Sequence, residues 1–334
     1  MSDRARKRRS VLWIIVALGL GLALAPVAFG MFTRAPAGGV MIDDFEPYMT
    51  ADEVATFRGY MEQIGAADAE WRAVLSADVD DASSFAAIAE LDEGWAAIDA
   101  DMADLLDRME ANLGNYAAVA ALPPFALFPW FFVLPGLMIA GVAGAALWAL
   151  QRDRPARGRV WALAGLGLAV LLAPVAFQMF SRAPQGAEMI DDFRPIMTRE
   201  RVLGVQGYFV IMGAAEGQLR VDAIPQAVDT TGIDATLRYP AISRFSADWP
   251  TIVGDFSPMV ATMSDNVDNF EGIDALPSFS LFPWFFVVPG LLVSGLALLA
   301  VRLGGRHHAI GPGGRSQARY TPSLNPEAEG VSHA

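Results

Sequence analysis

The chain of 334 residues is 54% apolar and only 18% charged, a composition too hydrophobic for a soluble protein of two domains. Its formal net charge of −13 is segregated along the chain, which indicates lipid-facing stretches that alternate with acidic ones. The chain contains no cysteine, which excludes disulfides, thiolate metal ligands and thiol nucleophiles.

Four stretches lack charged side chains over about 20 residues, the length that a helix needs to cross a bilayer. They predict membrane-spanning helices at residues 11–31, 125–150, 160–180 and 279–301. The first follows a basic segment, as the apolar core of a signal peptide does, but its near-copy lies in the middle of the chain, where no signal peptide can act. The sequence therefore predicts a multi-pass membrane protein.

Basic residues predict the orientation of these spans. Residues 1–10, the connector 151–159 and the tail 302–334 carry the excess of Arg and Lys that is typical of cytoplasmic segments. Segments 32–124 and 181–278 hold 19 and 14 acidic residues against 4 and 7 arginines, giving −15 and −7. We expect both termini in the cytoplasm of a bacterium, both acidic segments outside its plasma membrane, and a disordered tail.

Two blocks of sequence occur twice. Residues 25–50 and 173–198 are identical at 19 of 26 positions, and residues 122–138 and 276–292 are identical at 13 of 17. Each copy contains two spans and one acidic segment, so both copies cross the membrane in the same sense. The pattern predicts two tandem parallel repeats related by an axis along the membrane normal.

Helical periodicity dominates both acidic segments. In the first, Thr50 and Glu53 form a capping box, and apolar residues then recur every three or four positions through two stretches. The second repeats this pattern, although Pro250 and Pro258 are expected to bend or break its long helix. The fold class is therefore all-α, and we expect two helical hairpins to bury their apolar stripes together as a four-helix bundle.

The repeated junction that follows spans one and three is the main candidate site. It contains Arg34, Asp43 and Asp44 in the first copy and Arg182, Asp191 and Asp192 in the second. The carboxylates are candidates to bind a divalent cation such as calcium or to dock a basic partner. The structural alternative is a rigid elbow in which each arginine forms an ion pair with an aspartate and a proline ends the helix.

Aromatic residues open each return span. Phe128, Trp130, Phe282 and Trp284 are predicted interfacial anchors, with a cleft for a lipid or another hydrophobic ligand as the alternative. Small residues predict close helix contacts at Ala140 with Gly144, Ala164 with Gly167, and Gly290 with Ser294.

Ionisable residues argue against transport and enzyme chemistry. No such residue lies within a predicted span, which disfavours an ion-coupled transporter. In the acidic segments, Asp68 with Arg72 and Glu216 with Arg220 have the spacing of pairs within one helix, and a buried polar layer is the alternative. The only histidines are His307, His308 and His333 in the tail.

The sequence favours a non-enzymatic membrane protein whose acidic outer domain binds a partner or ligand, as an accessory or scaffold of an envelope or transport complex. The alternative is a carrier of lipids or other apolar molecules. Catalysis by carboxylates alone would need the four junction aspartates to converge in a cleft. We expect no cofactor and no nucleic-acid partner, while membrane lipids and another envelope protein are the expected partners. A filled core favours a scaffold, and an open apolar groove favours a carrier.

Overall fold

The computed structural model describes residues 3–304, and this part of the chain is helical without a β-strand. The helices are α1 Asp3–Ala28, α2 Met31–Phe45, α3 Ala51–Ala73, α4 Ala86–Ala111, α5 Leu113–Ala120, α6 Phe128–Gln151, α7 Arg157–Ala176, α8 Met179–Phe193, α9 Arg199–Gln218, α10 Ile224–Thr231, α11 Ala235–Arg238, α12 Pro240–Asp274 and α13 Trp284–Gly304. A π-helical segment, Leu219–Ala223, joins α9 to α10. The first residues of the predicted disordered tail, 302–304, instead end α13, while its remainder and the three histidines lie outside the described residues.

Four helical stretches are long and apolar enough to span a membrane, and they indicate a membrane protein. They are Asp3–Ala28, Phe125–Gln151, Arg157–Ala176 and Phe279–Gly304. The helices α1, α6, α7 and α13 form a closed ring, in which each contacts the next and α13 returns to α1. Because α1 begins at Asp3, most of the predicted basic N-terminal segment, residues 1–10, forms the first two turns of this helix.

Spans one and three end earlier than the sequence predicts. The helices stop at Ala28 and Ala176 because Gly30 and Gln178 adopt left-handed backbone conformations, with φ of 64° and 54°. The next helices, α2 and α8, are here called the junction helices. Each contains its proline internally. The elbow is therefore made before the junction helix, and not by the proline.

Small residues bring the spans into close contact in pairs. A Cβ added to Gly136 of α6 would lie 2.6 Å from the Ala23 amide nitrogen of α1. A Cβ on Gly290 of α13 would lie 2.6 Å from the Leu171 amide nitrogen of α7. Backbones this close leave no room for a side chain. The predicted contacts at Gly167, Gly290 and Ser294 are confirmed, whereas a Cβ on Gly144 would meet open space.

Helices α3, α4 and α9 to α12 form what we call the head, which comprises a first segment, residues 51–111, and a second segment, residues 199–274. Within it, α3 contacts α4 and α12, and α9 contacts the same two helices. One apolar core contains residues from all four. The first and second segments of the head therefore share one core.

The long helix of the second segment does not break at its prolines, which excludes one of the two outcomes expected there, a bend or a break. Helix α12 continues for 35 residues through Pro250 and Pro258. Both prolines are exposed, so the lost hydrogen bonds fall on the outer side of the helix, where water replaces them. The irregular part of this segment is the π-helical turn and residues 232–239.

Because α1 and α6 are in close contact at Gly136, adding one methyl group there should destabilise the protein. Gly136→Ala should lower the free energy of unfolding by about 1–3 kcal/mol, because the helices must separate to accept the Cβ. Gly141→Ala on the same helix is the matched control, since its Cβ would meet nothing within 4 Å. SDS titration of the detergent-purified protein, followed by circular dichroism, measures both. Equal midpoints for the two variants would contradict the close contact.

Candidate functional site

The junction helices carry the predicted site, and they reach the head through paired hydrogen bonds. Nδ2 of Asn266 on α12 donates to Asp44 at 3.0 Å. Nδ2 of Asn112, at the end of α4, donates to Asp192 at 2.9 Å. Each bond joins one copy of the repeated sequence to the other. The second aspartate of each junction is therefore a structural acceptor.

The two asparagines that hold the junction aspartates were not predicted from the sequence. Asn112 and Asn266 are 0% and 1% exposed, and each also donates to a backbone carbonyl of its own helix, at 3.0 and 3.1 Å. The side-chain oxygens of Asn112 and Asn266 accept hydrogen bonds at 2.9 Å from Nδ2 of Asn115 and Asn269, respectively. Buried amides need such partners, so these bonds fix how each junction helix meets the head. The available signal was Asn-x-x-Asn, which occurs in both copies.

The other junction residues lie apart from these bonds. Asp43 is exposed, and Asp191 forms a surface ion pair with Arg194 at 2.8 Å. Arg182 donates to the Ala121 carbonyl at 2.6 Å, while Arg34 donates to the Phe29 carbonyl at 3.3 Å and lies 3.5 Å from that of Ala275. Both arginines thus bind backbone carbonyls where the sequence suggested aspartates.

The described residues do not form the cluster of ligands that the predicted cation site would need. Within residues 3–304, no group of three or more histidine, aspartate or glutamate side chains is placed to hold a metal ion. Asp44 and Asp192 instead accept hydrogen bonds from different helices, α12 and α4.

The four predicted aromatic anchors divide into two kinds. Trp130 and Trp284 are exposed on the outside of the spans, as interfacial anchors are, and pack edge-on against Phe32 and Phe180. Phe128 is buried and packs against Phe282 with ring centroids 5.3 Å apart. The phenylalanines therefore join the two pairs of spans.

Reciprocal contacts also bind the opposite end of the head. Glu70 of α3 accepts a hydrogen bond from the Ile242 amide near the start of α12, at 2.8 Å. Gln218 of α9 accepts from the Ala87 and Ile88 amides near the start of α4, at 3.0 and 3.3 Å. The first residues of a helix lack acceptors for their amides, so each copy caps a helix of the other.

Two buried acids confirm the predicted pairs within one helix. Arg72 lies 2.7 Å from Asp68, and Arg220 lies 2.9 Å from Glu216. Both acids are buried, so they also form polar positions inside the core. Burial raises the pKa of Asp68 to about 6, against the opposing effect of Arg72.

A cavity of about 60 Å³ lies where the junction helices meet the head. Its walls are almost wholly apolar, and seven of the chain's 14 methionines line it: Met41, Met49, Met109, Met189, Met197, Met259 and Met263. Methionine side chains adapt their shape easily, so the cavity can change volume at small cost. Tyr116 also lines the cavity; its hydroxyl donates to the Ile42 carbonyl, and burial raises the pKa of Tyr116 to about 12. The cavity therefore offers mainly apolar space, with the Tyr116 hydroxyl as the single ionisable group among its lining residues.

No protein-family model and no curated protein sequence matches the chain.

The hydrogen bond between Asp44 and Asn266 should appear as a coupling free energy in a double-mutant cycle. Asp44→Ala should lower the free energy of unfolding by about 1–3 kcal/mol, because a buried amide loses an acceptor. Asp43→Ala, at the neighbouring position, should have little effect, because Asp43 is exposed as Asp44 is but does not accept the bond from Asn266. When Asn266→Ala is already present, Asp44→Ala should add almost nothing. Additive losses in SDS unfolding would show that the two residues do not interact.

The raised pKa of Asp68 predicts a pH dependence. Between about pH 4 and pH 6 the folded chain binds a proton at Asp68 that the unfolded chain has released, so stability falls as pH rises through this window. Asp68→Asn should remove about 1–3 kcal/mol of this fall, whereas Asp52→Asn, at an exposed position of α3, should keep it. Unfolding midpoints measured from pH 4 to pH 8 test this, and identical slopes for all three proteins would contradict it.

Proposed function

We propose that the protein is a non-enzymatic integral protein of the plasma membrane, with both termini in the cytoplasm. Its head is an extracytoplasmic four-helix bundle of two hairpins, supplied by two tandem repeats. The head binds a protein partner at the outer face of the membrane, as an accessory or scaffold of an envelope complex.

The main support for this proposal is that polar groups on the inner side of each copy form hydrogen bonds with the other copy. Glu70 and Gln218 cap helices of the opposite copy, and Asn112 and Asn266 bind its junction aspartates. Further pairs, such as Asp78 with Arg238 at 2.6 Å, also join the two segments. An interior used in this way supports a rigid platform, which leaves the outer surface for recognition.

The charge of that surface favours a basic partner. The stretch 32–124 has a net charge of −15, about twice that of 181–278. Glu62 of α3 and Glu90 and Glu93 of α4 are exposed and form no ion pair within residues 3–304. A complementary basic surface would be attracted to them, and salt would weaken the attraction.

Cross-linking in cells, purification of the full chain in mild detergent and mass spectrometry test this proposal. We expect a stoichiometric protein partner whose capture falls when salt rises from about 0.1 M to about 1 M. The triple variant Glu62→Lys, Glu90→Lys, Glu93→Lys should reduce capture at least about tenfold, or about 1.4 kcal/mol.

The matched control places the same change of charge on the second segment. Glu200→Lys, Asp229→Lys and Asp265→Lys alter three exposed acids there and should leave capture within about twofold. Equal losses for both triple variants would show a non-specific effect of charge and contradict docking on α3 and α4.

A second candidate function, a carrier of apolar molecules, is favoured by the cavity at the junction. A further groove of about 180 Å³ lies between α6 and α7 and is lined by Phe131, Pro135, Met138 and Phe177 among others. Its walls are apolar and it lies among the spans, where acyl chains are available. Stoichiometric lipid without any protein partner in the same purification would favour this carrier over the scaffold.

A further inference from the structure

One face of α9, continued by Val221 in the π-helical segment that follows, exposes an apolar stripe on the head. Leu203, Val210 and Val221 are 59%, 72% and 61% exposed. The stripe consists of Leu203, Gly207, Val210, Ala214, Gly217 and Val221, separated by four, three, four, three and four residues. From Leu203 to Gly217, within α9, this alternation is the spacing of a coiled-coil seam, in which two helices pack along their length.

The stripe is present in the second copy and absent from the first. Every large hydrophobic residue that is exposed on the described head lies in the second segment, namely Leu203, Val210, Val221, Ile233 and Leu237. At the matching positions, 148 residues earlier, the first segment has Ala55, Glu62 and Ala73 for the three stripe residues. Folding of the chain alone does not require this difference, since both segments pack into one core.

Charge restricts what can pack against this face. The head is acidic, so two copies of it repel each other over most of their surface. Residues 202–215 contain no charged side chain, and the positions that flank the seam are Gly204, Gln206, Ile211, Gly213, Gln218 and Arg220. None of them is acidic. The stripe is therefore a line along which two copies can approach without like-charge repulsion.

Membrane insertion determines the direction of approach. Two copies with the same topology are related by a two-fold axis along the membrane normal, so their α9 helices run parallel and in register. Each stripe residue then faces its own counterpart, with the glycines and Ala214 leaving space for Leu203 and Val210. The seam is short, but confinement to one membrane raises the effective concentration of the partner.

We propose that α9 is a self-association surface, and that its occupant is the α9 helix of a second copy of this chain. The inference goes beyond the proposed function and does not rest on it, because the acidic docking surface lies on α3 and α4.

The natural absence of cysteine allows a direct test in native membranes. Val210→Cys places one thiol at the seam, where it meets its counterpart within disulfide reach, and mild oxidation should give a covalent dimer. Glu62→Cys, the matching exposed position of the first segment, is the control. We expect at least about ten times more covalent dimer from Val210→Cys.

A second variant tests the seam independently of that thiol. Adding Ala214→Asp to Leu203→Cys places facing carboxylates in the seam and should reduce the Leu203→Cys dimer at least about tenfold. Equal dimer yields from Val210→Cys and Glu62→Cys, no effect of Ala214→Asp, or cross-linking of Val210→Cys to a different protein would each overturn the proposal. The partner-capture experiment on α3 and α4 is unaffected by these outcomes.

Discussion

The amides at the start of a helix need acceptors, and in this protein the two long helices of the head obtain them from the opposite copy of the repeated sequence. Gln218 accepts hydrogen bonds from amides near the start of α4, and Glu70 accepts one from α12. Near the ends of the same helices, Asn112 and Asn266 reach across to Asp192 and Asp44. Each long helix is thus held near both ends by the other copy, and the common core between them follows from that exchange.

This exchange also joins the head to the spans. The junction helices begin where Gly30 and Gln178 turn the chain out of the first and third spans, and they carry the aspartates that the head binds. Below them, close contacts at Gly136 and Gly290 pair the spans within each copy, while Phe128 and Phe282 pack the two pairs together. A displacement of one copy therefore has to break contacts in the head, the junction and the spans together.

Much of the fold was predictable because hydrophobic length and helical period are local properties of sequence. The four spans, the amphipathic helices and the pairs Asp68–Arg72 and Glu216–Arg220 follow from such patterns. The early ends of spans one and three were not predicted, because Gln178 gives no sign of its left-handed conformation. The acceptors of Arg34 and Arg182, and the partners of Asn112 and Asn266, depend on contacts between distant segments, which spacing along one chain does not reveal.

We infer that each copy needs the other in order to fold, and separating the two at the connector between α6 and α7 tests this inference. Residues 1–153 and 154–334 would be produced together and separately, and hydrogen exchange would be measured at the amides of α4 and α12. The account predicts that the halves purify as a one-to-one complex with protected amides, and that neither half alone protects them. Protection in an isolated half equal to that of the intact chain would contradict the account.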